Sequence, residues 1–448
     1  MEWYGFMSEN RYYPVVIVPG IGQSKVVELN AAGEAVRTVW PLDVDPQLMV
    51  SKLKNPFAKM MIFRRDAGFS DAAAEAVAQA ADGIATNPDG SMKHTLRAVT
   101  YPGPVAECTE DEKRYINKMA PVQMLGRTIG EENIFFFAYN SFGMPYGIAA
   151  DLHEYVEAVK RRTGSDKVNF LPLSLGGAMM TAYLDAYGSA DIHRIIYIVP
   201  ALQGTRTISD VFRKDLHTED FASVLGMLAG GKTAETLQKV LPMLPEGVAQ
   251  KTAEKVVDAV LSAVLTGSGA MWACLPPEDY ETLAAQYLAD SAHSALRAQT
   301  DRYYAAQKAL PETLKTLSAQ GIGIYICCCY GLKLAEALGS ADRCSSDGMI
   351  HIESASLGAT AALPGQTLTD AQIRDRAYLS PDGALDASTG AFPDSTWYFA
   401  GQVHDSIAYN DTALTVALRA LSDESFTGIG SDPALGQFHT RQDNRENG

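Results

Sequence analysis

The sequence lacks any apolar run of the roughly 18 to 20 residues that a membrane-spanning helix needs. Its most apolar long stretch, from Val256 to Leu275, is broken by Asp258 and by a glycine-rich turn. The N-terminus also lacks the basic and then apolar regions that form a secretory signal. We therefore expect no transmembrane segment and a cytoplasmic location, with secretion as the alternative if a signal peptide has been removed.

Basic residues are scarce relative to acidic ones. The 37 Lys and Arg residues are outnumbered by 53 Asp and Glu residues, which gives a formal net charge of −16. Nucleic acids and anionic membranes both require basic surfaces on their partners, so this charge argues against either as a ligand. With 448 residues, of which 47% are hydrophobic, the chain can form a large globular core.

Cysteines and metal-ligand motifs are also sparse. Three of the six cysteines, Cys327, Cys328 and Cys329, are consecutive within an apolar run. We expect them to be small hydrophobic residues of a buried strand rather than a disulfide framework, which favours a reducing compartment. Histidines and cysteines show neither an H-x-x-x-H pair nor two suitably spaced C-x-x-C pairs, so the sequence predicts no metal site.

Short apolar runs alternate with segments whose apolar residues have helical spacing. The runs are apolar at consecutive positions, which is typical of strands buried on both faces. The sequence therefore predicts an α/β protein with a mostly parallel sheet covered by helices on each face. The predicted strands span 15–18, 133–139, 168–173, 194–200, 323–330 and 396–400.

Between residues 208 and 298 the pattern changes, because helical spacing dominates and no strand is predicted. We interpret this block as a helical cap inserted into an α/β core, which divides the chain into 1–207, 208–298 and 299–448. A helical subdomain with a purely structural role is the alternative. Residues 41–130 contain turn motifs but cannot be assigned, and the polar tail after residue 422 is predicted to fray.

Ser174 follows the strand 168–173 directly and is itself followed by Leu175, Gly176 and Gly177. A strand that ends in a serine with small neighbours, and then a helix, is typical of a nucleophile elbow. A sharp turn there exposes the hydroxyl, which becomes a strong nucleophile beside a base and near hydrogen-bond donors. Ser174 is therefore the candidate nucleophile, although Pro172 stands where the usual motif has glycine.

His404 is the candidate base and Asp347 the candidate acid. Of the eight histidines, His404 lies four residues beyond the predicted strand 396–400, at the edge of the sheet where Ser174 is expected. In folds with a nucleophile elbow, the triad residues follow the chain order Ser, acid, His. Asp347 fits the position of the acid, because it lies after the predicted strand 323–330 and before the strand 396–400. Asp342 and Glu353 are the alternative acids.

Two backbone N–H groups should bind the oxyanion that forms during ester cleavage. One belongs to Leu175, directly after the nucleophile. The other is expected from the turn after the first strand, at Ile21. Gly20 and Gly22 of this turn are candidate substrate-binding residues, with a plain tight turn as the alternative. Trp272 closes the helical block and is predicted to contact the substrate, with core packing as the alternative.

Taken in order, these motifs resemble the bacterial α/β-hydrolases of the lecithin:cholesterol acyltransferase-like group. Residues 15–22 resemble the group's first strand and P-G-x-x-G turn, and residues 135–141 its aromatic strand that ends in Y-D-W. Residues 167–177 resemble its K-V-x-L-V-x-H-S-x-G-G elbow, residues 346–358 its D-G-x-V…S-A-S acid segment, and residues 404–406 its H-x-S.

This resemblance implies a capped α/β-hydrolase that cleaves acyl esters, often lipids, with a Ser-Asp-His triad and no cofactor. Pro172 and Leu173 depart from the elbow motif, and Asn140-Ser141 replaces Asp-Trp. From the sequence we predict a serine esterase or lipase. The alternatives are an acyltransferase that uses the same triad and an inactive binding protein with the same fold.

Overall fold

The computed structural model describes residues 12–42, 46–217, 244–245 and 247–440. Its strands are β1 Val15–Val18, β2 Val26–Leu29, β3 Ala35–Trp40, β4 Leu96–Ala98, β5 Ile134–Phe136, β6 Val168–Pro172, β7 Ile192–Ile198, β8 Gly323–Tyr330, β9 Thr360–Ala361, β10 Leu385–Asp386, β11 Thr396–Ala400 and β12 Phe438–Thr440. Within the described ranges, seven parallel strands form a central sheet in the order β12-β11-β8-β7-β6-β1-β5, and the others form two small antiparallel sheets.

Helices cover both faces of this sheet. Successive side chains of a strand point to opposite faces. Accordingly Val16 and Val18 of β1 pack in one core cluster, whereas Val15 and Ile17 pack in another. The helices are α1 Pro46–Phe63, α2 Phe69–Ala80, α3 Glu110–Met119, α4 Val122–Ile129, α5 Pro145–Thr163, α6 Leu175–Tyr187, α7 Arg206–Arg213, α8 Val248–Val260, α9 Gly269–Ala273, α10 Pro277–Tyr287, α11 Ser294–Ala319, α12 Ile352–Ala355 and α13 Asp411–Ser422.

The predicted fold class is confirmed, since a mostly parallel central sheet flanked by helices is the α/β-hydrolase architecture. The predicted frayed tail is wrong for residues 438–440, because β12 pairs in parallel with β11 at the edge of the sheet. Trp397 also donates a hydrogen bond from Nε1 to the carbonyl of Leu435, at 3.1 Å. The last eight residues, 441–448, lie outside the described part of the chain.

Residues 41–130, which the sequence could not assign, supply two helices that pack beside the predicted cap. Helix α2 lies against α8, where the hydroxyls of Ser70 and Thr252 are 2.9 Å apart in a buried contact. Lys251 of α8 also forms an ion pair with Asp66, at 2.6 Å. The predicted cap is helical where the structure describes it, and its residues 218–243 and 246 lie outside the described ranges. Helix α11 continues across the predicted boundary at residue 298.

Candidate active site

Ser174 lies at the sharp turn between β6 and α6. Its backbone has φ 50° and ψ −117°, a left-handed conformation that a non-glycine residue rarely adopts. The turn is fixed by backbone hydrogen bonds from the Ser174 N–H to the Ile198 carbonyl, at 3.1 Å, and from the Ala201 N–H to the Ser174 carbonyl, at 3.0 Å. Such a strained turn, held by two neighbouring segments, is the geometry of a nucleophile elbow.

Small residues after Ser174 allow this turn to pack against the sheet. A Cβ on Gly176 would lie 2.1 Å from the carbonyl oxygen of Val18, and one on Gly177 would lie 2.7 Å from Cβ of Pro200. Both positions therefore require glycine. Pro172 is the last residue of β6 and has no backbone N–H to donate. The turn does not need that donor, because the N–H of Leu173 donates to the Val18 carbonyl at 2.9 Å.

The imidazole of His404 bridges Ser174 and Asp347. Its Nε2 lies 2.9 Å from the Ser174 hydroxyl, and its Nδ1 lies 2.6 Å from Oδ2 of Asp347. The other carboxylate oxygen of Asp347 accepts hydrogen bonds from the backbone N–H groups of Met349, at 2.9 Å, and Ile350, at 2.7 Å. A fixed carboxylate on Nδ1 makes that nitrogen the donor, which leaves Nε2 to accept the serine proton.

The surroundings of His404 act on its pKa in opposite directions. Burial of the imidazole lowers the pKa, but the charge of Asp347 and the hydrogen bond to it raise the pKa more strongly. The net result is a His404 pKa above its usual value. An imidazolium at His404 would therefore be stabilised by the carboxylate of Asp347.

The two alternative acids lie elsewhere. Asp342 pairs with Lys333 at 2.6 Å, and its side chain is 74% exposed. Glu353 is largely buried, and burial raises the pKa of its carboxyl group. Of the three carboxylates considered, Asp347 is the one that contacts His404.

The turn after β1 lies directly against Ser174. A Cβ on Gly20 would be 2.9 Å from Cβ of Ser174 and 3.4 Å from its hydroxyl oxygen. Ile21 and Leu175, the two expected oxyanion donors, both line the cavity that contains Ser174. In the part of the chain that the structure describes, neither N–H donates a hydrogen bond.

This cavity has a volume of about 230 Å³ and nearly uncharged walls, since His404 is its only titratable lining residue besides the thiol of Cys274 within the described ranges. Helix α2 and the residues after it contribute one wall, and α8 with its continuation contributes another. Sequence reasoning missed the first wall because residues 41–130 were unassigned, although small apolar residues recur there at helical spacing. The wall residues from these two segments are Val77, Ala80, Ala81, Ile84, Val260, Val264 and Leu265.

Two of the predicted substrate-binding residues do not line the cavity. Trp272 is a correction, because its indole N–H donates to the Thr266 carbonyl at 2.9 Å and its ring packs edge-on against Phe212. It belongs to the core of the helical block, while its neighbours Met271 and Cys274 reach the cavity. Gly22 lines the cavity, whereas Gly20 is in contact with Ser174 instead.

Among the described residues, no cluster of potential metal ligands occurs, and no helix is long and apolar enough to cross a membrane. No protein-family model and no curated protein matches the sequence. Solved structures with similarity include phospholipase PlaB from Legionella pneumophila, with 14% identity over 75% of this chain and 60% of that chain, at a TM-score of 0.35.

Two further structures are similar at comparable identity. The Tle4–Tli4 complex matches with 15% identity over 71% of this chain and 74% of that chain, at a TM-score of 0.28. A protein described as an aryl esterase from Burkholderia cenocepacia matches with 13% identity over 48% of this chain and 89% of that chain, at a TM-score of 0.18. The chain spans less than two thirds of the Legionella phospholipase, so any activity must be inferred from its own residues.

Proposed function

We propose that this protein is a serine hydrolase that cleaves carboxylic esters of apolar acyl groups through an acyl-enzyme. The observation that carries the proposal is the continuous hydrogen-bonded chain from the Ser174 hydroxyl through His404 to Asp347. Its members come from three distant parts of the sequence and meet at one edge of the sheet. A serine and its base in direct contact, with the base oriented by an acid, is the arrangement that activates a hydroxyl for attack.

In this mechanism Ser174 attacks the ester carbonyl while His404 accepts its proton at Nε2. Asp347 holds the proton on Nδ1 and stabilises the resulting imidazolium. The carbonyl oxygen becomes an oxyanion, to which the N–H groups of Ile21 and Leu175 donate. His404 then protonates the leaving alkoxide, and the acyl group remains on Ser174 as an ester. Water, deprotonated by His404, attacks this ester and releases the acid and the free serine.

The cavity walls support apolar acyl groups as the substrate class. Each methylene that moves from water into an apolar wall contributes about 0.8 kcal/mol, or roughly fourfold in affinity. A charged headgroup would have no side chain of opposite charge to pair with, because the described walls contain no Asp, Glu, Lys or Arg. The order of motifs that resembles the lecithin:cholesterol acyltransferase-like group points to the same class of substrate.

A fluorophosphonate probe tests the proposal, because only an activated serine reacts with it. We expect the wild type to be labelled and to hydrolyse p-nitrophenyl esters, and Ser174→Ala to do neither. Labelling without turnover of any ester would contradict the hydrolase proposal. An unlabelled wild-type protein would contradict an activated serine and favour the inactive binding protein. Adding an alcohol and analysing the products distinguishes hydrolysis from acyl transfer.

A further inference from the structure

The turn after β1 is held by side chains that have no part in the chemistry proposed above. The peptide unit between Pro19 and Gly20 has a hydrogen bond at each end. At one end the hydroxyl of Tyr139 donates to the Pro19 carbonyl at 2.6 Å in a buried contact. At the other end the Gly20 N–H donates to Oε1 of Gln23 at 2.5 Å. A peptide plane bonded at both ends cannot rotate without breaking both bonds.

Both of these side chains are themselves fixed. Tyr139 is 2% exposed, and its own backbone N–H donates to the Ser24 hydroxyl at 3.2 Å, across the same turn. Burial raises the pKa of Tyr139 well above its usual value, so its hydroxyl remains a donor. The amide of Gln23 donates from Nε2 to the Met119 carbonyl at the end of α3, at 2.8 Å, which leaves Oε1 facing Gly20.

The next peptide unit, between Gly20 and Ile21, carries the N–H of Ile21. Among the described residues, the one hydrogen bond that this unit makes is a long one, from the Gln23 N–H to the Gly20 carbonyl at 3.4 Å. Glycine tolerates many backbone conformations, so the Gly20–Ile21 unit could rotate and turn its N–H away from Ser174. Fixing the unit before it restricts that rotation. Oxyanion donors are effective only when they are oriented before the reaction starts.

We propose that Tyr139 and Gln23 are positioning residues that hold the Pro19–Gly20 peptide so that the Ile21 N–H faces the oxyanion. This inference rests on the proposed serine hydrolase function. The side chains of Tyr139 and Gln23, called the clamp below, orient an N–H donor that matters most in the transition state. Loss of the clamp should therefore lower kcat rather than raise KM. Removing a whole oxyanion donor typically costs about 10²- to 10³-fold in kcat, which is the upper bound for removing its support.

The experiment measures kcat and KM separately for Tyr139→Phe, Gln23→Leu and the double variant. Tyr155→Phe is the matched control, because the Tyr155 hydroxyl also donates to a carbonyl, that of Tyr101 at 2.9 Å, away from this turn. We expect kcat to fall about tenfold or more in each single variant, with KM within about twofold and the control unchanged. Because both side chains hold one peptide, the double variant should lose much less than the product of the two single losses.

Three results would overturn the inference: unchanged kcat in both single variants, equal losses in the Tyr155→Phe control, or losses that multiply in the double variant. Thermal melting of each variant shows whether a loss reflects unfolding, and kcat is then compared at a temperature where all are folded. Ester turnover by the wild type, and its loss in Ser174→Ala, is measured first, so that a result against the clamp is distinguished from a result against the proposed function. If the wild type shows no such turnover, the proposed function and the proposed role of the clamp are both wrong.

Discussion

The hydroxyl of Ser174 lies 2.9 Å from Nε2 of His404, although 230 residues separate them in sequence. Ser174 follows β6 and His404 follows β11, and both strands run in the same direction in one sheet. In a parallel sheet the carboxyl ends of all strands meet at one edge, where ligands bind. The short distance is thus a direct consequence of the strand order, and the predictions below depend on it.

Ser174→Ala should reduce kcat for p-nitrophenyl esters by several orders of magnitude while the fold persists, because the attacking oxygen is lost. Ser141→Ala is the matched control, since Ser141 is also buried and its hydroxyl has no hydrogen-bond partner among the described residues. Initial rates and far-UV circular dichroism measure the two effects. Near wild-type rates in Ser174→Ala would disprove the assignment of the nucleophile.

Asp347 and His404 should behave as one unit with Ser174. Asp347→Ala and His404→Ala should each be severely impaired, and adding Ser174→Ala to either should cost much less than the product of the separate losses. The measurement is kcat/KM for single and double variants. Asp342→Ala is the control, since that carboxylate pairs with Lys333 at the surface. Full activity in Asp347→Ala would show that Asp347 is not the acid of the triad and would leave Glu353 as the candidate.

Activity should rise with pH through the raised pKa of His404, because only the neutral imidazole accepts the serine proton. In Asp347→Asn the charge that raises this pKa is gone, and burial then lowers the pKa. The acidic limb of the kcat/KM profile should therefore move to lower pH, while the plateau falls because the imidazole loses its orientation. A limb that stays in place would show that another group controls the profile.

Gly176→Ala should destabilise the protein, because the new Cβ would lie 2.1 Å from the Val18 carbonyl oxygen. Overpacking of this kind typically costs about 1 to 3 kcal/mol in the free energy of unfolding. Gly147→Ala in α5 is the control, because its Cβ would lie 4.0 Å from Cβ of Met144. Alanine is also the better helix former, so the control should be neutral or stabilising. Urea unfolding measures both, and equal stabilities would contradict the packing described for the elbow.

Val264→Trp should shift the preferred ester to shorter acyl chains, because Val264 lines the cavity and the larger ring would fill part of it. Each methylene excluded from the cavity costs about fourfold in affinity. Trp272→Phe is the control, since Trp272 packs in the core of the helical block. The measurement is kcat/KM across a series of acyl lengths. An altered profile in Trp272→Phe, with none in Val264→Trp, would place the acyl group elsewhere.

The sequence by itself determined the parts of this protein that depend on local patterns. Apolar runs located six of the seven described strands of the central sheet, because a strand buried on both faces must be apolar at consecutive positions, whereas the edge strand β12 was missed. The glycines after Ser174 marked the elbow, because only residues without a Cβ fit there. Chain order then selected Asp347 and His404, and the fold brings His404 into contact with both Asp347 and Ser174.

Only the tertiary structure decided which residues form the cavity and how the turn after β1 is held. The residues of α2 and α8 are far apart in sequence, and their shared wall results from long-range packing that no local pattern encodes. The same reason explains the error at Trp272, since a large aromatic residue fits a core and a pocket equally well. The contact between Tyr139 and Pro19 likewise arises because β5 lies beside β1 in the sheet.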